Sequence, residues 1–363
     1  MMTIKEIARH AGVSQSTVSK ALNDRPDVSP KTKEKIRQLI KQYNFTPHAF
    51  GKALKKKTSE NVGVLFCRDL HSLSGNPFYS RVLEGIEAEL ALNNYSLLLQ
   101  IITENTRDEL PKMVREHQAD GLILVGTFLD TYFTRILGIQ IPVILIDPKE
   151  LAEDRCQILI DNEYGANQAT RHLLDRGHRR IGFISGDLSR TSFRQRYNGY
   201  LKALKNSDLS PDPDLVRTGG LENGYEHVRV LLENKDMTAI FSANDINALY
   251  GYQAIIERGL RIPDDVSIVG FDDIEMAKMA SPPLTTVRVY KEELGSIAVR
   301  ALLQILRGEV KKPVTTVVPT RLIERGSVKE IGPPVASQKQ PDAPTLRRPS
   351  NASQLSKTIS LED

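Results

Sequence analysis

Over the first 46 positions, apolar residues recur three and four apart. Ile4, Ile7, Ala8 and Ala11 predict one short helix. Val18, Ala21 and Leu22 give the inner face of a second, and Ile36, Leu39, Ile40 and Tyr43 that of a third. The end signals agree with this spacing. Thr3 and Glu6 form a capping box, Gly12 permits a turn, and Ser14 is placed to cap the second helix. Ser29-Pro30 is a cap followed by proline at the first helical position. From Thr46 to Asn61 the chain is polar and basic without a full amphipathic face, so residues 47–61 read as a linker with a short helix at 48–54.

At Val62 the pattern changes to apolar runs separated by helical stretches. The runs are 62–67, 95–101, 121–126 and 142–147, with helices expected at 77–93 and 106–117 and a short one before 142. The alternation restarts with a helix at 163–176, a strand at 180–186, a helix at 193–206, a strand near 215–218 and a helix at 223–234. It continues with 238–243, a helix at 245–258, 266–272, a helix at 291–307 and a last extended run at 314–323. Apolar strands separated by helices mean parallel sheets covered on both faces. Eight or more such units exceed one ordinary sheet, so two α/β subdomains of similar size are expected within residues 62–330. Residues 331–363, rich in Pro, Ser, Gln and Lys without apolar periodicity, read as a disordered tail; they hold no leucine heptads for a coiled coil.

Charge sharpens the division. Residues 1–60 hold 13 Lys/Arg against 5 Asp/Glu, whereas the remainder holds 36 against 40. A basic head on a mildly acidic body points the head at a polyanion. The two cysteines, Cys67 and Cys156, make no disulfide framework, and Cys67 ends an apolar run as a core residue would. The start lacks the apolar segment of a signal peptide, and no apolar run approaches the ~18 residues of a membrane helix. A soluble, cytoplasmic protein is expected, without membrane partner, cofactor or metal.

Two short helices joined by a Gly-containing turn make a helix-turn-helix, whose second helix lies in a DNA major groove. Its outward residues are Gln15, Ser16, Ser19 and Lys20. Gln bonds adenine bidentately, Lys reaches guanine acceptors, and Thr17 and Ser19 suit phosphate oxygens. Thr3, Ser14 and Asn23 complete the candidate contacts of the head.

In the body, ligands of parallel α/β sheets bind beyond the carboxyl ends of strands. Asp147, Asn244, Asp245 and Asp272 stand at such ends; Arg190, Ser192 and Arg196 follow another strand, and Phe78 follows the first strand's loop. Carboxylates, an amide and guanidinium groups around an aromatic face suit a polyhydroxyl ligand, because each hydroxyl both donates and accepts. Asp272 and Asp245 can instead be read as helix caps, the preferred reading for Asp245. Arg190 can be read as a surface residue, and His178 as a structural turn residue. The sequence holds no Gly-x-Ser-x-Gly, Walker loop, Gly-x-Gly-x-x-Gly or clustered His/Cys spacing, so no catalytic residue is assigned. A solute-binding protein is the other rival, but it has no use for a basic head.

The stretch TIKEIARHAGVSQSTVSKALN (3–23), then VSPKTKEKI and a Pro-led basic linker, resembles the lactose/galactose repressor family. The resemblance continues through NPFYSRVLEGIE (76–87), DGLILVG (120–126), LLDRGHRRIGFISG (173–186), FSANDINALYG (241–251), RIPDDVSIVGFDDIE (261–275) and PPLTTVRV (282–289). It covers roughly residues 2–328. It implies an all-α helix-turn-helix head on a body like the periplasmic sugar-binding proteins, a homodimer on operator double-stranded DNA, and an effector cleft between the subdomains. It also implies a linker that folds into a hinge helix on DNA, with Leu54 levering open a base step from the minor groove. Positions matching Asp147, Arg196, Asn244 and Asp272 contact sugars in sugar-responsive members. Arg190, Ser192, Arg196 and Asp272 also resemble the purine-responsive pattern, and Asn244 favours the sugar.

The linker departs from the family's Asn-x-x-Ala-Arg-x-Leu: His48, Gly51, Lys52 and Leu54 stand at the matching positions, and Lys20 stands where several relatives carry Arg. Lys lacks the bidentate fork of Arg, so the preferred operator is expected to differ there. Gly costs on the order of 1 kcal/mol of helix stability against Ala, which predicts a weak hinge helix and high salt sensitivity. Gly51→Ala is therefore expected to tighten operator binding in a salt-controlled mobility-shift titration; unchanged or weaker binding refutes the hinge reading.

Overall fold

The computed structural model describes residues 4–22, 24–43, 58–67, 77–103, 106, 109–128, 130–220 and 223–332. The head consists of α1 (Ile4–Ala11), α2 (Gln15–Leu22) and α3 (Pro30–Gln42). Ile7, Val18 and Ile36 meet in its small core with Ala8, Ala11, Ala21 and Val28. Gly12 turns the chain at φ +71°, where a Cβ would strain the backbone. Ser14 Oγ then accepts from Thr17 N at 3.1 Å, and Ser29 Oγ from Thr32 N at 3.2 Å, so both expected caps form. Tyr43, expected inside, instead lies at the exposed end of α3 against the His10 ring, with centroids 5.3 Å apart. Its phenol carries a hydroxyl that favours water at the last turn. Thr3, Asn23 and the hinge stretch 48–54 lie outside the described residues, as does the tail beyond 332.

The body builds two six-stranded sheets. The first lobe holds β1 (Asn61–Cys67), β2 (Ser96–Ile102), β3 (Gly121–Val125), β4 (Val143–Ile146), β5 (Cys156–Ile160) and β11 (Thr315–Val318). Their order, β11-β5-β4-β3-β1-β2, is wholly parallel. The second lobe holds β6 (Ile181–Ser185), β7 (Val216–Thr218), β8 (Ala239–Ser242), β9 (Ser267–Asp272), β10 (Thr285–Val289) and β12 (Thr320–Ile323). Its order is β12-β10-β9-β8-β6-β7, and β12 runs antiparallel at the edge. The central strands are buried from end to end, as a sheet covered on both faces requires.

Nine further helices appear among the described residues: α4 (Pro77–Leu92), α5 (Lys112–Arg115), α6 (Asp130–Leu137), α7 (Asn162–Asp175), α8 (Thr191–Lys205), α9 (Gly224–Leu231), α10 (Asp245–Glu257), α11 (Glu275–Met279) and α12 (Lys291–Leu306). In the first lobe α12 packs along α4 and against β3, β4 and β5. In the second α7 packs along α8 and against β8, β9 and β10, while α9 packs along α10. The chain thus crosses between lobes three times: from β5 to α7, from β10 to α12, and from β11 to β12.

Three readings of the sequence need correction. The helix expected at 106–117 is a single turn, α5, because Pro111 bars helical geometry at Leu110 and supplies no donor. The extended run 314–323 is two strands in different sheets, divided at Pro319. Strands β5 and β10 were not expected at all, since their buried polar residues broke the apolar pattern. Gln157 accepts from Ala152 N and donates to Thr315 Oγ1, and Thr285 Oγ1 accepts from Arg325 N. Cys67 and Cys156 are both buried and unpaired with each other. No described helix is long and apolar enough to cross a membrane.

Asp245 shows how polar groups hold the second lobe. It opens α10 fully buried, takes a hydrogen bond from Thr286 Oγ1 at 2.5 Å, and accepts Ile274 N at 2.9 Å. Burial, with the nearby Asp272 carboxylate, pushes its pKa up to about 8. A raised acid keeps in the folded state a proton that the unfolded chain releases near pH 4. Its contribution to stability is therefore full below that pH and is lost as pH rises toward 8. Asp245→Asn should gain in Tm relative to the parent chain between pH 5 and pH 8.5 in thermal denaturation; a pH-independent difference refutes the assignment.

Candidate functional site

The cleft between the lobes collects groups from the ends of strands and starts of helices. Phe78 and Tyr79 open α4, Thr127 follows β3, and Asp147 follows β4; Arg190, Ser192 and Arg196 come from the start of α8. Asn244 precedes α10, and Asp272 ends β9. All seven sequence-predicted cleft residues, Phe78, Asp147, Arg190, Ser192, Arg196, Asn244 and Asp272, line this one pocket. Tyr79, Thr127, Phe193, Ile246 and Ile274 also line it and were not foreseen. Each stands within two residues of a strand end or of a predicted residue, which is the signal that could have found them.

Arg196 organises the cleft. It is buried, its Nε donates to Asn162 Oδ1 at 2.8 Å, and one Nη donates to Ala243 O at 2.5 Å. Its guanidinium lies 3.8 Å from the centre of the Phe271 ring and 3.3 Å from Asp272 Oδ1. The stacked plane and fixed donors leave the group no other rotamer. The ion pair is off the line of a hydrogen bond, so buried Asp272 Oδ1 has no hydrogen-bond donor among the described residues.

Two carboxylates face the cleft from opposite lobes on strained backbone: Asp147 has φ +47° and Asp272 has φ +115°. Burial raises the pKa of Asp147, against the pull of Arg196 and Arg190. Burial also pushes Asp272 up to about 6, with Arg196 and Lys291 opposing and Asp147 adding to it. Tyr79, also buried there, is held far above the ordinary phenol range.

The capping alternatives resolve in an unexpected way. Asn244, not Asp245, caps α10, its Oδ1 accepting from Asn247 N at 2.7 Å. Asp245 is instead the buried acid described above, so its reading as a cap is corrected: it sits one residue inside the helix. Asp272 caps nothing, since α11 begins after Ile274 with no side-chain cap. Arg190 stands at the cleft rim, half-buried before α8. His178 is wholly buried, bonded to Thr238 Oγ1 at 2.9 Å and Lys329 O at 3.1 Å, and burial takes its pKa down to about 4. It is a structural residue of the turn.

In the head, Gln15 and Ser16 project from the start of α2 into solvent. Ser14 and Thr17 share a hydrogen bond of 2.9 Å, which fixes the first turn. Ser19 is half-buried, and exposed Lys20 pairs with exposed Asp27 at 2.6 Å. His48, Lys52 and Leu54 fall outside the described residues with Thr3 and Asn23.

Residues 3–48 match the sequence profile described as "Bacterial regulatory proteins, lacI family", and residues 170–328 match "Periplasmic binding protein-like domain". The HTH-type transcriptional repressor PurR of Mannheimia succiniciproducens is 32% identical over 340 residues, spanning 91% of this chain and all of the relative. Among solved structures, the lac repressor dimer bound to operator and the anti-inducer ONPF is similar with a TM-score of 0.80 and 28% identity, over 90% of this chain and 99% of that one. The transcriptional regulator CelR in complex with cellobiose gives a TM-score of 0.70 and 29% identity, over 90% of this chain and 100% of that one. Head, two-lobed body and 32% identity to a repressor over 91% of the chain agree: the chain belongs to the lacI family of bacterial regulatory proteins, the DNA-binding transcriptional repressors.

Proposed function

We propose that this protein is a homodimeric repressor whose affinity for operator DNA is set by a small hydroxyl-rich molecule, a sugar or sugar derivative, held between the lobes. Residues 1–46 read the operator, 47–61 form the hinge, 62–330 bind the effector and dimerise, and 331–363 form a tail without an assigned role. The protein works in the cytoplasm, where its DNA is, and no enzymatic activity is assigned to it.

One observation carries the effector reading: the buried Asp272 Oδ1, at a cleft wall with Asp147, has the Arg196 ion pair at 3.3 Å but no well-aligned hydrogen-bond donor among the described residues. A buried acceptor without a donor costs about 1–3 kcal/mol, and a ligand hydroxyl relieves that cost. Arg190, Ser192 and the Asn244 amide add donors around the same space, and Phe78 and Phe193 add aromatic faces. Acceptors and donors alternating around a ring-sized cleft suit hydroxyls, which need both. CelR, the similar regulator solved with cellobiose, supports this class. A second reading, a planar purine-like base, is favoured by the same aromatic faces and by the resemblance of Arg190, Ser192, Arg196 and Asp272 to the purine-responsive pattern. In either case the ligand changes DNA affinity only through a difference in its affinity for two lobe angles.

A thermal-shift screen of sugars, sugar phosphates and purine bases, followed by mobility shift on genomic fragments, tests this. A hit should stabilise the body and alter operator affinity together. Asp272→Ala should weaken its binding about 10- to 100-fold, the loss of a hydrogen bond to a charged group. Binding of the hit to Asp272→Ala with parent affinity refutes the cleft assignment, and turnover of the hit revives an enzyme.

A further inference from the structure

At the second crossover between the lobes stands Lys291, a residue the cleft does not expose. By chain it is the first residue of α12, a helix of the first lobe. Its ammonium, however, is placed on the second lobe. Nζ donates to Asp272 O at 2.5 Å, Asp273 O at 3.2 Å and Val289 O at 3.2 Å. The side chain is buried, at 6% exposure.

Three features make this more than packing. An ammonium has three protons, and here three carbonyl oxygens meet them, so the buried cation is satisfied by backbone alone. Two of those carbonyls belong to consecutive residues at positive φ, Asp272 at +115° and Asp273 at +52°. A pair of non-glycine residues held there needs support from its surroundings, and Lys291 supplies it on the carbonyl side. The first of the pair also carries the cleft carboxylate. The Asp273 carboxylate is committed elsewhere, to Arg288 at 2.7 Å and Arg325 at 2.6 Å within the second lobe. The cation therefore ties α12 to the peptide groups of this turn and not to a side-chain carboxylate.

We propose that Lys291 is the positioning residue that ties the angle between the lobes to the turn carrying Asp272. A ligand drawing on the Asp272 side chain shifts the same peptide that the ammonium grips. The displacement then reaches α12, which is fixed along its length to α4 and to β3, β4 and β5. The inference rests on the effector reading of the cleft for its consequence, but not for its test, which needs no ligand.

The test is the distribution of distances between lobes in the full-length, ligand-free protein. Spin labels are placed at Thr131→Cys on α6 and Asn198→Cys on α8, both exposed. The native Cys67 and Cys156 are buried, and labelled chains are diluted into unlabelled protein to isolate one protomer. The parent chain should give one narrow distribution, and Lys291→Met one at least twice as wide. Leu294→Ala, a wholly buried change on the same helix that leaves the three carbonyls held, is the control and should stay narrow. A narrow distribution for folded Lys291→Met, or equal widening in the control, overturns the proposal. Should the methionine variant not fold, Lys291→Gln carries the same comparison, with widening expected and a parent-like width overturning it.

Discussion

Two carboxylates at one cleft, half-buried Asp147 from the first lobe and buried Asp272 from the second, are the constraint around which the body is arranged. Each resists ionisation because burial removes water, and Asp272 is pushed further by the proximity of Asp147. What holds the charge in place is not a single partner. Arg196 pulls both carboxylates toward ionisation, and Lys291 does so for Asp272 from beneath. Arg196 is itself immobilised by Asn162, by Ala243 O and by the ring of Phe271. Asp272 Oδ1 thus has an ion pair with Arg196 but no well-aligned donor among the described residues, which suits a ligand group able to donate.

The same residues lie beside the crossovers. Asn162, the partner of Arg196, opens α7 directly after the first crossover, and Lys291 opens α12 directly after the second. The third is Pro319, where one extended run leaves the first sheet and enters the second. Asn162 through Arg196, and Lys291 directly, therefore connect Asp272 to the segments that join the lobes. A ligand bonded to Asp272, as proposed, needs no long route to act on the lobe angle.

Much of this could be read from the chain. The head helices, their Ser caps and the Gly12 turn follow from spacing and from short polar residues at fixed offsets. The seven cleft residues were found because parallel sheets present their strand ends to ligands, a rule that needs only the positions of Asp147, Arg196 and Asp272 after apolar runs. Where reading failed, polarity was inside. Strands β5 and β10 hide Gln157, Thr285 and Thr286 in a buried sheet, and alternation cannot reveal a strand whose polar groups are satisfied across the sheet. Lys291 was invisible for a related reason: a lysine at a helix start reads as a surface residue until its carbonyl partners, two of them 18 and 19 residues away, are seen. That Asn244 and not Asp245 caps α10 turned on a single residue of helix boundary, the least legible feature of any sequence.

Head and body also answer to different solution variables. In the proposed reading the head meets DNA through Gln15, Ser16 and Lys20, which are exposed groups on a strongly basic segment, and Lys20 is paired with Asp27. Exposed ion pairs contribute little and are screened by salt, so exchanging Asp27 for a phosphate or a guanine edge costs little. Most of the affinity gained is counterion release, which weakens steeply as salt rises. The proposed switch in the body draws on Asp272, Arg196 and Lys291, buried groups that salt scarcely reaches. Ionic strength should then move the operator affinity of liganded and unliganded protein together while leaving their ratio nearly fixed, because the energy that reads DNA and the energy that sets the lobe angle are stored in different dielectric surroundings.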